Sequence, residues 1–316
     1  MRTDSSRSYL SVAYDLRPSK QVERRMFIDF FRRLAGCGVQ VEEFRYTGMG
    51  SIHFVDHTLF HKFLGIDKMV SCEKDSDIET RVYFNRPFDN IEIEMMPIGD
   101  YVPRLDRDEA HIVWLDYDFR LTEMMINDVV MSANQLPMGS FVIVTVDVEP
   151  HKGSKGATDN ISYYKKQAGD LWRPAWRKKD FANAKLCRRA IDIIELAFKE
   201  GASGRPNVNI LPCFSFEYSD GHQMITVGAQ IGGAKEASFL DRVQESGAYY
   251  MVRDFADKPF SIDVPVITRK ERFHLDSAMP SKDFESIKAL GISKEIFDNF
   301  AQIYRFYPIY SELLLG

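Results

Sequence analysis

The sequence predicts an α/β fold: a doubly wound, mostly parallel sheet of seven strands closed by an antiparallel hairpin, with a helix ahead of it and an α-rich cap behind. Three observations carry this. From Val41 onward, short β-type runs alternate with runs of helical periodicity, the rhythm of a parallel sheet covered by helices. Two of the runs, His111–Leu115 (HIVWL) and Phe141–Val148 (FVIVTVDV), are apolar or β-branched throughout, as strands buried on both faces must be. Two later β-type runs are separated by Ser219-Asp220-Gly221-His222, which is turn chemistry for a hairpin.

The elements follow in order. Pro18 to Ala35 has a proline near a helix start and Val22, Met26, Phe27, Phe30, Phe31 and Leu34 along one stripe, so this helix docks on the sheet. Val41–Tyr46 reads as the first strand. Ile52–Leu64 has helical spacing that stops at Gly65, and Lys68–Cys72 is the second strand. Ser76–Phe84 is a helix, Ile91–Met96 the third strand, His111–Leu115 the fourth, Leu121–Leu136 a helix and Phe141–Val148 the fifth strand. Residues 151 to about 180 form a polar, basic and aromatic excursion, followed by a helix over Phe181–Lys199. The hairpin strands are Val208–Tyr218 and Gln223–Ile231. Residues 234–316 mix helices with one strand-like run, Phe260–Ile267, and close on the aromatic stretch IYRFYPIY. The chain thus divides into an N-terminal helical segment, 1–40, a sheet domain, 41–233, carrying the insertion 151–180, and a C-terminal cap or small domain, 234–316.

Composition excludes several classes. With 316 residues and 45% hydrophobic content the chain can build a substantial core. It has no run of about 18 apolar residues, so no membrane span is expected. The start, MRTDSSRSYLSVAYDLR, has neither an apolar signal core nor an Arg-rich, acid-free transit pattern, and the expected location is the cytoplasm. Cys37, Cys72, Cys187 and Cys213 lie far apart without a C-x-x-C pair and read as reduced thiols. A net charge of -5 argues against coating DNA by bulk charge. There is no G-x-S-x-G elbow, no phosphate-binding P-loop and no H-E-x-x-H.

A strand followed by Gly48-Met49-Gly50 and a helix lets backbone approach a ligand closely, because glycine lacks a Cβ and can take positive φ. The plainer reading is a tight turn with nothing bound. Its company favours a ligand. Glu73 ends the second strand about 25 residues on, where a doubly wound nucleotide-binding sheet places the acid that holds ribose hydroxyls. Gly99-Asp100 follows the third strand and Asp116 ends the fourth, so four polar signals fall at the carboxyl ends of consecutive strands.

The order Gly48-x-Gly50, Glu73, Gly99-Asp100 and Leu115-Asp116-Tyr117-Asp118, closed by a hairpin, resembles the class I S-adenosylmethionine-dependent methyltransferases, whose Rossmann-like sheet ends in that hairpin. The resemblance covers residues 41 to about 232. More narrowly, RPSKQVERRM followed by RYTGMGSIHFVDHTLFHKFLGI is similar to a bacterial family described as putative O-methyltransferases. The resemblance implies that S-adenosyl-L-methionine is the cofactor. It implies that Gly48 and Gly50, flanked by Thr47 and Ser51, pass under the methionine part, that Glu73 beside Lys74 takes the ribose hydroxyls, and that Asp100 after Gly99 bonds the adenine amino group. Asp116 and its neighbours then face the methyl and its acceptor. The glycine loop departs from the fullest family motif, since Tyr46-Thr47 replaces the acidic lead and the third glycine is missing. Arg17 and Lys20 are candidates to hold the cofactor carboxylate instead, as charged donors, against the plainer reading of a solvated helix start.

Methyl transfer from a sulfonium needs alignment, dehydration and sometimes a base. For a hydroxyl acceptor, Asp116 or Asp118 is the candidate base; for an aromatic or amine acceptor, Tyr117 and Asp118 form wall and hydrogen-bond acceptor. Asp116 with Asp147 and Glu149 is a candidate magnesium set, although Asp147 as a loop cap and Glu149 in solvent is the simpler reading, and no metal is assigned. His53, His57 and His61 recur every four residues, a stripe read as solvated or core-edge rather than metal-binding. Between Lys152 and Arg189, basic residues are interleaved with Tyr163, Tyr164, Trp172, Trp176 and Phe181, the chemistry of phosphate attraction and base stacking, or else of a lid with aromatics packed over the pocket. The expected function is O-methyl transfer to an unidentified acceptor. A nucleobase methyltransferase is the alternative, since Asp116-Tyr117-Asp118-Phe119 has the outer residues of [DN]-P-P-[YF] but neither proline. A silent scaffold is a third, to be recognised by a pocket filled from residues 234–316.

Overall fold

One eight-stranded sheet organises the protein, whose computed structural model describes residues 17–150 and 155–308. Residues 1–16, Lys152 and the terminal pair Ile309-Tyr310 lie outside the described residues. In chain order the strands are β1 (Arg45–Gly48), β2 (Lys68–Cys72), β3 (Ile91–Glu94), β4 (His111–Arg120), β5 (Phe141–Asp147), β6 (Asn209–Ser219), β7 (Gln223–Gly232) and β8 (Phe260–Ile262). Their lateral order is β3-β2-β1-β4-β5-β7-β6-β8. The first five pair in parallel, and β7 runs antiparallel to both β5 and β6. The reversal of order between β1 and β4 is the crevice at which open α/β sheets receive ligands.

The helices are α1 (Pro18–Gly36), α2 (Val55–Leu64), α3 (Glu79–Asn85), α4 (Ile98–Tyr101), α5 (Glu123–Gln135), α6 (Ala157–Ala168), α7 (Leu186–Ala202), α8 (Ala234–Glu245), α9 (Arg269–Ser277) and α10 (Lys294–Ile303). Because strand side chains alternate, Ile112 and Trp114 of β4 join the core beneath α1 and α2, while Val113 and Leu115 join the core beneath α5 and α7. The predicted stripe of α1 is fully buried: Phe27 meets the Trp114 ring edge-on at 4.9 Å, and Phe31 meets Phe141 at 5.2 Å. Each such side chain contributes roughly 1.5–3 kcal/mol by burial.

Several boundaries shift from expectation. Val41–Glu43 forms a single 3₁₀ turn, so β1 starts at Arg45, and α2 starts at Val55 because residues 51–53 turn first. The helix expected from Phe181 starts at Leu186, after two short 3₁₀ turns. Strand β4 runs past Leu115 to Arg120 and so carries Asp116, Tyr117 and Asp118 within its own pleat. The seven-stranded expectation is corrected to eight. Phe260 and Ile262 pair with Phe216 and Tyr218 at the sheet edge, and the ladder ends just before Pro265, which has no N–H to donate. The remaining C-terminal helices gather a small core of their own around Leu275, Phe297 and Phe300.

Candidate active site

A cavity of about 570 Å³ opens at the carboxyl ends of the parallel strands. Its walls are Met49, Gly50 and Ser51 after β1, Glu73 and Lys74 after β2, Gly99 and Asp100 after β3, and Asp116, Tyr117 and Asp118 of β4. Met124, Asp128 and Met131 of α5, Arg24 of α1, and His53 and Asp56 around the start of α2 also line it. No residue from 234–308 lines it, so the described part of the cap does not fill the pocket. The volume lies within the range of small-molecule and cofactor sites.

The glycine loop works differently from the expectation. Neither Gly48 nor Gly50 takes positive φ; Ser51 and Phe54 do, each at 50°. Gly48 does not line the cavity, and a Cβ there would strike the Tyr46 ring, its neighbour on the same face of β1. A Cβ at Gly50 would run into Ser71 Oγ, to which the Gly50 N–H donates at 3.2 Å, while its carbonyl accepts from Phe54 N at 2.8 Å. With both polar groups used inside the protein, the Gly50 backbone offers the cavity a close, shaped wall. Thr47 is wholly buried within β1 and does not reach the cavity.

Glu73 is half-buried at the end of β2. Its Oε1 accepts from Asp75 N at 2.9 Å, and no salt bridge pairs it with a cation among the described residues. Burial pushes its carboxyl above the ordinary range, against the pull of those backbone donors. Lys74 is exposed, its ammonium 5.5 Å from the Phe119 ring, and Asp100 stands exposed at the rim.

Lys20 is corrected as a ligand for the cavity. It is fully buried and does not line the cavity, and its ammonium is 2.7 Å from Asp116 Oδ1, 2.8 Å from Glu23 Oε2 and 3.3 Å from the Tyr218 hydroxyl. The Glu23 contact is an ion pair, since neither of its buried carboxylate oxygens has a hydrogen-bond partner among the described residues. The ammonium also lies 4.3 Å from the Trp114 ring centroid. Burial opposes ionisation of both partners, but Asp116 and Glu23 raise the Lys20 value, and Lys20, with Arg17 and Arg24, holds the Asp116 carboxyl below its usual range. Arg17 is likewise not in the cavity wall; it lies 3.8 Å from Asp118 Oδ1 and 3.9 Å from Asp220 Oδ2.

Arg24 and Asp128 are wall residues that the sequence reading did not single out. Arg24 reaches the cavity one helical turn beyond Lys20 and grips Asp56 with Nε at 2.6 Å and Nη2 at 3.4 Å, a forked pairing. The signal was the four-residue spacing of Lys20 and Arg24 on one helix. Asp128 is 5% exposed, accepts a hydrogen bond at Oδ2 from the Tyr117 hydroxyl, and fills the space where a Gly99 side chain would be. An acid within the mostly apolar run MMINDVVM was its signal.

Asp147 is a loop cap: Oδ1 accepts from Glu149 N at 2.6 Å and Oδ2 lies 3.1 Å from His222 Nδ1, while Glu149 accepts from Gln223 N at 3.2 Å. Among the described residues no group of three or more His, Cys, Asp or Glu side chains is placed to hold a metal ion. His57 is buried, with Nε2–H donating to the Val70 carbonyl at 3.0 Å, and His61 Nδ1 lies 3.0 Å from the Ile66 carbonyl, whereas His53, in the turn ahead of α2, lines the cavity. In the insertion, Tyr164, Trp176 and Phe181 are buried with α7, and the Trp172 ring stacks on Phe181 at 5.3 Å. Tyr164, Trp176 and Phe181 are core, Trp172 is half-buried, and none of these rings lines the cavity, so they do not form the expected lid over it.

A family model described as Putative O-methyltransferase matches residues 12–315. No curated protein matches the chain. Among solved structures, it is similar to a putative O-methyltransferase from Klebsiella pneumoniae, at 12% identity and a TM-score of 0.38 over 72% of this chain and 96% of that one. An O-methyltransferase from Bacillus cereus in complex with SAH gives 10% identity and 0.38 over 71% and 86% of the two chains. The O-methyltransferase TomG from Streptomyces achromogenes, in complex with SAM, gives 14% and 0.38 over 73% and 96%.

Proposed function

The chain belongs to the putative O-methyltransferase family, and from that premise we propose that its cavity holds S-adenosylmethionine and that it transfers a methyl group to the oxygen of an acceptor. The observation that carries this is Glu73: a carboxylate at the end of β2, turned into the cavity, held by a backbone N–H and paired with no cation among the described residues. Such a group suits the two hydroxyls of a ribose, which donate to it without adding charge. The residues present fit the cofactor: Gly50 and Ser51 give a closely approaching backbone wall, Glu73 an acceptor pair, Met49, Met124 and Met131 apolar surface, and Arg24 a guanidinium at the same wall.

When bound, the cofactor supplies the electrophilic methyl on its sulfonium; the chain's own residues align the acceptor, exclude water and take its proton. Of the two candidate bases, Asp116 is committed to Lys20 as a fixed counter-charge and is a weak proton acceptor. Asp118, in the cavity wall with 31% of its side chain exposed, takes the proton in this reading. An open cavity supports turnover over a silent scaffold, and the buried rings of the insertion support a protein core there over a nucleobase platform.

Calorimetric titration with S-adenosylmethionine and S-adenosylhomocysteine tests the reading. Micromolar binding by the wild type, lost in Glu73→Ala, is expected; a folded wild type that binds neither sinks it.

A further inference from the structure

We propose that Asp128, oriented by Tyr117, recognises the amino edge of the cofactor's adenine, with Met124 and Met131 lying against the ring; this rests on the reading of the cavity given above. Met124, Asp128 and Met131 are spaced by four and three residues, so they share one face of α5, and all three line the cavity. The arrangement is apolar, charged, apolar. Thioether side chains adapt to a flat ring, and the carboxylate between them meets a donor at the ring's edge.

The carboxylate is built to need such a donor. It is 5% exposed, no salt bridge pairs it with a cation among the described residues, and its side-chain partner is the Tyr117 hydroxyl at Oδ2. A buried carboxylate ordinarily has a cation or several donors. Another acid, Asp100, repels added negative charge at this carboxylate and so disfavours an anionic ligand group. A neutral amine N–H fits this environment.

Position selects the adenine over the acceptor. Asp128 lies against Gly99, whose missing side chain makes room for its carboxylate, and Gly99 follows β3, two strands from β1 and next to β2 with its Glu73. A nucleoside whose ribose sits on Glu73 reaches that side of the cavity with its base. Asp100, the sequence-based candidate, stands in water at the rim, where a hydrogen bond discriminates less than at a desolvated group.

The test compares two ligands, S-adenosylhomocysteine and its 6-oxo analogue S-inosylhomocysteine, in which a carbonyl oxygen replaces the amino group. Wild-type protein is expected to prefer the amino ligand by about 10- to 100-fold, the range of a hydrogen bond to a charged group. Asp128→Asn, whose amide can turn its NH₂ toward the carbonyl, is expected to erase that preference, and Tyr117→Phe to reduce it severalfold. Glu73→Gln should weaken both ligands alike, leaving the ratio intact. Should Asp128→Asn fail to fold, the Tyr117→Phe ratio decides. An unchanged ratio in Asp128→Asn, a ratio lost instead in Asp100→Asn, or equal binding of both ligands by the wild type overturns this inference alone. A wild type that binds neither ligand overturns the reading of the cavity and this inference with it.

Discussion

Lys20 Nζ and Asp116 Oδ1 lie 2.7 Å apart, joining α1 to the middle of β4 across 96 positions of sequence. The same ammonium holds Glu23 and Tyr218, so one buried cation ties the leading helix, the fourth strand and the terminal hairpin into a single wall beside the cavity. Removing it leaves two carboxylates without their main cation in a dry site. Lys20→Met is therefore expected to lower the unfolding free energy by about 3–5 kcal/mol, read from urea denaturation at pH 7. The sign with pH follows: without Lys20 both carboxyls hold protons more tightly in the fold, so the deficit shrinks as pH falls toward 4. A deficit that grows on acidification would refute the pairing.

His57 and His111 are buried, and burial holds both below the ordinary value of 6.5 despite hydrogen bonds from their rings to backbone carbonyls. Their folded values are depressed, so the unfolded chain takes up protons first. Their contribution is present above about 6.5 and is lost as pH falls through the folded values. The carboxyls raised by burial, Glu23, Glu73 and Asp128, act in the opposite sense, so the comparison must be with a variant. Between pH 7 and pH 5 the wild type should lose more Tm than His57→Gln does.

The glycines separate packing from binding. A Cβ at Gly48 meets the Tyr46 ring and one at Gly99 meets the Asp128 carboxylate, so each alanine variant should cost about 1–3 kcal/mol of stability. Gly48 is outside the cavity wall, whereas Gly99 is in it. Titration of the folded variants should show unchanged S-adenosylhomocysteine affinity for Gly48→Ala and at least a tenfold loss for Gly99→Ala, a loss of about 1.4 kcal/mol.

Trp176, 8% exposed and packed between Trp172 and Phe181, is a core residue of the insertion. Trp176→Ala should destabilise by about 3–5 kcal/mol and leave cofactor affinity unchanged. A variant with wild-type stability would return the ring to a surface role.

The strands and their order of polar ends were legible because apolar runs and turn residues are local signals, as in HIVWL and FVIVTVDV. Asp116, Tyr117 and Asp118 were recognised as wall residues, but not as part of β4, since a polar run at a strand end carries no periodicity. Lys20 was mistaken for a ligand group because nothing local marks a partner 96 positions away. Phe260–Ile267 reads as strand-like, but nothing local marks that its first three residues pair with β6 and add an eighth strand to the sheet. Tyr117 and Asp128, on β4 and on α5, meet only once the fold is closed.

The most direct measurement is a crystal structure of the wild-type protein grown with S-adenosylhomocysteine. The ligand is expected in the cavity at the ends of β1 to β4, with both ribose hydroxyls hydrogen-bonded to Glu73. Ligand bound elsewhere, or in the cavity with its ribose away from Glu73, would contradict this assignment.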